Sequence, residues 1–169
     1  PSREGMIALT KLASKCGADC AMVNPGDQRG DQLVSLFKNL SEEVNIALMI
    51  QDAKENAPAD VLLRAVKEAK NVTCLKLESA GAPHKMGLVC EGLPEVAGGR
   101  QVTVLGGSNG GLLLEELGRG SVGTLPHPVL IDAFQDACER YAENDMSGAS
   151  DTYYQKILPL SRLTTAGGV

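Results

Sequence analysis

Short apolar runs alternate with longer amphipathic ones along the chain. Five short runs, Cys20 to Asn24, Ile46 to Gln51, Thr73 to Glu78, Val102 to Gly106 and Val122 to Leu125, are apolar almost throughout, as strands buried on both faces of a parallel sheet must be. Helix-type runs fall between them. Ser2 to Lys15 is predicted to gather Met6, Ile7, Leu9 and Leu12 on one face, and Ala59 to Lys70 to do the same with Val61, Leu62, Ala65 and Val66. Strand runs alternating with helix runs predict an α/β fold with a helix-covered parallel sheet. The punctuation agrees: Asn24-Pro25-Gly26, Gly106-Gly107, Pro126 and Pro128 follow strands, and Pro58 opens a helix. From Phe134 onward a helical period returns through Ala137, Cys138 and Tyr141. A break is expected at Ser147-Gly148, then a last helix through Tyr153, Ile157 and Leu160, and a frayed tail from Thr164 to Val169. The expected division is a body over 1–145 and a C-terminal helix with its tail over 146–169.

The strand-and-helix unit recurs at near-equal spacing, which two architectures produce: an open doubly wound sheet and a closed (β/α)8 barrel. The open sheet usually carries a glycine-rich phosphate turn after its first strand, and Asn24-Pro25-Gly26-Asp27 is not one. A barrel needs eight strands and roughly 250 residues. With 169 residues and five strand runs, the barrel reading requires that part of the wall lie elsewhere.

Charge and composition narrow the partners. Lys+Arg number 16 against 21 Asp+Glu, for a formal net charge of -5, and aromatic residues make up 3%. The charges are scattered, so no basic stripe faces a phosphate backbone and little is available to stack on bases; nucleic acid is not an expected partner. No apolar run approaches the roughly 20 residues that cross a bilayer. No secretory leader is recognisable, and the start at Pro1 is not expected to be the biological start. Cys16, Cys20, Cys74, Cys90 and Cys138 are odd in number and sit in apolar surroundings, which predicts reduced thiols rather than a disulfide framework. Cys16 and Cys20 lack a second Cys or His pair, so no zinc site is expected.

The run Thr73 to Glu78 places a cation inside an apolar strand. By alternation Leu75 and Leu77 share one face, while Cys74, Lys76 and Glu78 share the other. If the leucines pack under helices, Lys76 and Glu78 project from the opposite face at the strand's C-terminal end, where barrels carry their chemistry. Desolvation there disfavours an ammonium and favours a nucleophilic amine able to form an imine with a carbonyl. The plain alternative is an edge-strand lysine neutralised by Glu78.

Several segments, taken in order, resemble one family: Gly17-Ala18-Asp19-Cys20-Ala21-Met22-Val23-Asn24-Pro25, Ile46 to Asp52, Val72 to Glu78, Val104-Leu105-Gly106-Gly107, and Leu113 to Gly123. Together they are similar to the dihydrodipicolinate synthase and N-acetylneuraminate lyase family, class I pyruvate-type aldolases and hydro-lyases. The resemblance implies a (β/α)8 barrel of which this chain covers about strands four to eight. It implies Lys76 as the imine-forming residue, Gln51, Glu78, Gly106 and Gly107 as substrate-binding, a 2-oxo acid as substrate, no metal or cofactor, a homo-oligomer, and a cytoplasmic location or a mitochondrial matrix. Two departures stand against it. The Gly-Thr-Thr-Gly-Glu-like loop that holds the substrate carboxylate in the family is absent, and the position of the family's proton-shuttling tyrosine is matched by Ile50. The adjacent Gln51 can hydrogen-bond a substrate oxygen but transfers no proton near neutrality. A catalytically silent, oligomerising barrel module is therefore the competing reading.

Other polar residues carry weaker signals. The run Gly106 to Gly111 is either an anion cradle or a tight turn capped by Ser108 or Asn109. His84 and His127 are expected in exposed positions, Tyr141, Tyr153 and Tyr154 on outer helices, and Glu115 and Glu116 on a solvated helix face.

Overall fold

A computed structural model describes residues 2–54 and 57–166 of the chain. Four strands, β1 (Cys20–Val23), β2 (Ala47–Asp52), β3 (Val72–Leu77) and β4 (Thr103–Leu105), are parallel and lie side by side in the order β1-β2-β3-β4. Helices α1 (Arg3–Lys15), α2 (Asp31–Glu43), α3 (Ala59–Glu68), α4 (Ala82–Val96) and α5 (Leu113–Leu117) alternate with them. This order decides between the two architectures, because a doubly wound sheet reverses its strand order at a switch point. Strands laid down in sequence build a barrel wall. The chain folds as part of a (β/α)8 barrel.

Alternation along each strand sorts the side chains into two layers. Leu48, Ile50, Leu75, Leu77 and Val104 face the helices and are buried. They pack with Leu33, Leu36, Phe37 and Leu40 of α2, with Leu62, Ala65 and Val66 of α3, and with Met86 and Val89 of α4 in one apolar core. Met22, Met49, Cys74 and Thr103 form a row across the other face, and Gln51, Lys76 and Leu105 form the next row toward the C-terminal ends. A second core joins Leu113 and Leu117 to Phe134 and Ala137 of α6 (Ile131–Ala142) and to Tyr153 and Ile157.

Five expectations are corrected. Val122 to Leu125 is not a full strand: it makes one parallel bridge, Gly106 to Thr124. The hydroxyl of Ser121 accepts from the Gly123 N–H and donates to the Gly123 carbonyl, a local turn that competes with the ladder. In α1, Leu9 and Leu12 are exposed while Met6 and Thr10 are buried; α1 packs against β1 and α2 at the end of the sheet, so part of its apolar face has no neighbour. The break before the last helices falls at Asn144, in a left-handed conformation (φ 64), and Asp145 caps α7 (Met146–Thr152) by accepting the Gly148 N–H at 2.9 Å. Ser147 and Gly148 therefore lie inside α7. The chain then widens into a π turn over Tyr153–Ile157 and continues as α8 (Leu158–Ala166), so Thr164 is helical and accepts from Asn109 at 3.3 Å. The remainder of the expected tail, 167–169, lies outside the described residues. All five cysteines are free thiols, but Cys16 and Cys20 are exposed rather than set in apolar surroundings.

Leu75 is fully buried between β3 and the helices. Leu75→Ala is expected to lower unfolding stability by about 3 kcal/mol. Leu9→Ala, at a side chain 61% exposed, is expected to stay within about 0.5 kcal/mol; urea titration followed by circular dichroism measures both.

Candidate active site

The C-terminal ends of β2, β3 and β4 meet around one carboxylate. Lys76 leaves β3 on the face away from the helices, and Glu78, two residues on, shares that face. Their side chains are 11% and 14% exposed, with Lys76 Nζ 3.0 Å from Glu78 Oε2. Gln51 stands in register with Lys76 on the neighbouring strand, and its Nε2 donates to Glu78 Oε1 at 2.6 Å. From the turn after β4, the Ser108 N–H donates to Glu78 Oε2 at 3.2 Å and the Ser108 hydroxyl to the Glu78 carbonyl at 3.1 Å. Burial alone would raise the Glu78 pKa. The hydrogen bonds from Gln51, Ser108 and Lys76 outweigh it and hold the group below its ordinary value, so Glu78 is a carboxylate at neutral pH.

Of the residues singled out in the sequence, Lys76, Gln51, Glu78, Gly106 and Gly107 are thus brought together. Ile50 is not among them. It is fully buried on the helix face, and the residue that β2 presents beside Lys76 is Gln51, one position on; a one-residue step along a strand changes the face. His84 and His127 are exposed. Tyr153 is buried with its hydroxyl donating to the Gly111 carbonyl at 2.5 Å, and burial, with added repulsion from Glu115, pushes its pKa up to about 12. Cys74, below Lys76 on the same face, is pushed up to about 11 by burial and by neighbouring Cys20, so its thiol is protonated and unreactive near neutrality.

The glycine turn packs against two of the protein's own carboxyl groups, Glu78 and Glu116. Ser108 and Asn109 make no side-chain cap there. A Cβ on Gly107 would overlap the Glu78 side chain, and a Cβ on Gly106 would overlap the Glu116 carboxylate. The two glycines are therefore required by close approach on both sides of one turn. Glu116, expected on a solvated face, is 1% exposed; the exposed member of the pair is Glu115. Burial raises the Glu116 pKa to about 7, the Gly107 N–H partly offsets that, and Glu115 and Glu78 add repulsion. Helix α5 has five residues, too few for periodicity to show which glutamate turns inward.

A second polar cluster sits behind the site. Asp52, on the helix face of β2, is 1% exposed. Its Oδ2 accepts from Lys85 Nζ at 2.6 Å and from the Ser79 hydroxyl at 2.7 Å, while Lys85 also reaches Ser79 at 2.8 Å. This clamp ties the end of β2 to the segment between β3 and α4, and so fixes the direction in which Glu78 leaves its strand. Among the described residues no group of three or more His, Cys, Asp or Glu is arranged to hold a metal ion, and no helix is long and apolar enough to cross a membrane.

No family model and no curated sequence matches the chain. Solved structures do. The chain superposes on dihydrodipicolinate synthase from Rhodopseudomonas palustris with a TM-score of 0.81 at 21% identity, covering 96% of this chain and 56% of that one. The synthase from Aquifex aeolicus gives 0.84 at 19% identity, covering 97% and 56%, and that from Thermotoga maritima 0.84 at 17%, covering 97% and 57%. The fold is thus shared with these enzymes, and the chain spans about half the length of each.

Glu116 makes stability depend on pH with a definite sign. A carboxyl whose pKa rises from 4.5 unfolded to about 7 folded favours the native state while it is protonated, and that advantage disappears as pH climbs between those values. Wild type is expected to lose up to about 3 kcal/mol between pH 4.5 and pH 8 relative to Glu116→Gln, measured by urea unfolding at both pH values.

Proposed function

We propose that the chain carries the imine-forming half of a lyase active site acting on a 2-oxo acid. The observation that supports this best is the burial of Lys76 beside a carboxylate at the C-terminal end of a barrel strand, where barrels place their reacting groups. In this reading the neutral Lys76 amine attacks the keto carbon. A C–N bond forms, the carbonyl oxygen departs as water, and the resulting iminium withdraws electrons from the neighbouring carbon during aldol cleavage, condensation or dehydration.

Glu78 takes the proton that the ammonium must release, because its Oε2 lies 3.0 Å from the nitrogen and its carboxylate is ionised near neutrality. Gln51, in the place beside the lysine, orients Glu78 and offers its amide to a substrate oxygen; it moves no proton. The same reading assigns Gly106 and Gly107 to the floor of the substrate space and needs no metal or cofactor.

A second reading, an assembly module, draws on the apolar surface around the fifth strand segment: Val122 is 65% exposed and Ile131 57%. Exposed sheet edges with apolar flanks invite association with another copy.

Borohydride reduction in the presence of pyruvate separates the two. The lyase reading expects a covalent adduct on Lys76 by mass spectrometry, lost in Lys76→Ala and reduced at least tenfold in Glu78→Gln. Absence of an adduct, or its survival in Lys76→Ala, overturns that reading; absence together with a multimer in sedimentation supports the module.

A further inference from the structure

We propose that Glu116 is a positioning residue for the Lys76–Glu78 pair, a buried carboxyl whose charge reaches Glu78 through the Gly106–Gly107 turn. Its consequence for imine formation rests on the function proposed above; the coupling between the two carboxyls does not.

The geometry is a sandwich. Glu116 lies on the helix side of the turn with Oε2 buried and without a hydrogen-bond partner among the described residues. Glu78 lies on the opposite side, and the turn is glycine at both contact points because each carboxylate occupies the space of a Cβ. Two consecutive backbone N–H groups act on the two carboxyls: that of Gly107 favours the charged form of Glu116, and that of Ser108 donates to Glu78. The charged or titratable groups acting on Glu116 are Glu78 from the end of β3, Glu115 on its own helix, and the phenol of Tyr153 from the π turn. None is a cation, and no ion pair to Glu116 forms among the described residues. Protonated, Glu116 leaves Glu78 as the single negative charge facing Lys76. Ionised, it sets a second negative charge behind the turn, which strengthens the hold on the ammonium and opposes release of its proton. The titration of Glu116 near neutrality falls where this switch in charge would alter the pair.

The test uses the full chain with its glutamate side-chain carboxyls labelled with carbon-13. The Glu78 resonance, assigned by its loss in Glu78→Gln, is expected to show a second inflection near neutral pH in wild type and in the surface control Glu115→Gln, and none in Glu116→Gln. A wild-type Glu78 resonance without that inflection overturns the proposal, even if Glu116→Gln does not fold; so does an inflection that persists in Glu116→Gln. Pyruvate trapping on Lys76 gives the functional readout: Glu116→Gln is expected to trap about threefold or more faster than wild type at pH 8 and equally fast at pH 5.5. An equal ratio at both pH values overturns the positioning role. If wild type traps nothing at any pH, the lyase reading fails while the resonance still decides the coupling.

Discussion

One carboxylate organises this half-barrel. Glu78 receives an amide from β2, an ammonium from β3 and a backbone N–H from the turn after β4, so the ends of three strands converge on two oxygens. A carboxylate taken from water needs such a set of donors, since an unpaired buried charge costs several kcal/mol. The requirement also acts in reverse. Removing any one donor would leave the remaining partners of a buried ion pair short of compensation, which ties the register of β2 against β3 and the path of the glycine turn to the same group.

The parallel order of the strands and the placement of Lys76 were legible because both follow from short-period patterns. Leu75 and Leu77 flank Lys76 in strict alternation, and the structure buries those leucines against helices while turning the lysine the other way. Ile50, which the resemblance matched to the family's tyrosine, lies on the helix face of the pleat, and the residue on the inner face beside Lys76 is Gln51. Glu116 left no signal of this kind. Its burial depends on the missing Cβ of Gly106, a residue ten positions away, and a helix of five residues cannot display a periodic face. The clamp of Asp52, Ser79 and Lys85 was hidden for a related reason: its members come from a strand end, a loop and a helix, and each alone reads as an ordinary surface polar residue.

The end of α1 shows where local pattern and tertiary context part. Its leucines were expected to pack on a sheet, and a helix in the middle of a barrel wall would have buried them. At β1, the outermost strand of the sheet, Leu9 and Leu12 instead remain exposed, as do Met22 at 50% on the inner face and Val122 near the opposite edge. Periodicity reported which residues are apolar, but what they meet depends on how far the sheet extends.

The glycine turn constrains how a 2-oxo acid would be gripped under the proposed function. Backbone N–H groups are the natural receptors for a substrate carboxylate when no arginine is at hand, yet the Ser108 N–H already donates to Glu78 and the Gly107 N–H faces the buried Glu116 carboxyl. Lys76 is committed to the imine, and Lys85 is held by Asp52 behind the wall. An incoming carboxylate near this turn would also face Glu78 itself at short range, where like charges repel by several kcal/mol unless a cation or donor intervenes. Under that function the described residues provide the amine, the proton acceptor and the orienting amide, and the carboxylate, bonded to the carbon that forms the imine, must draw its donors from groups other than the Ser108 N–H that Glu78 already holds.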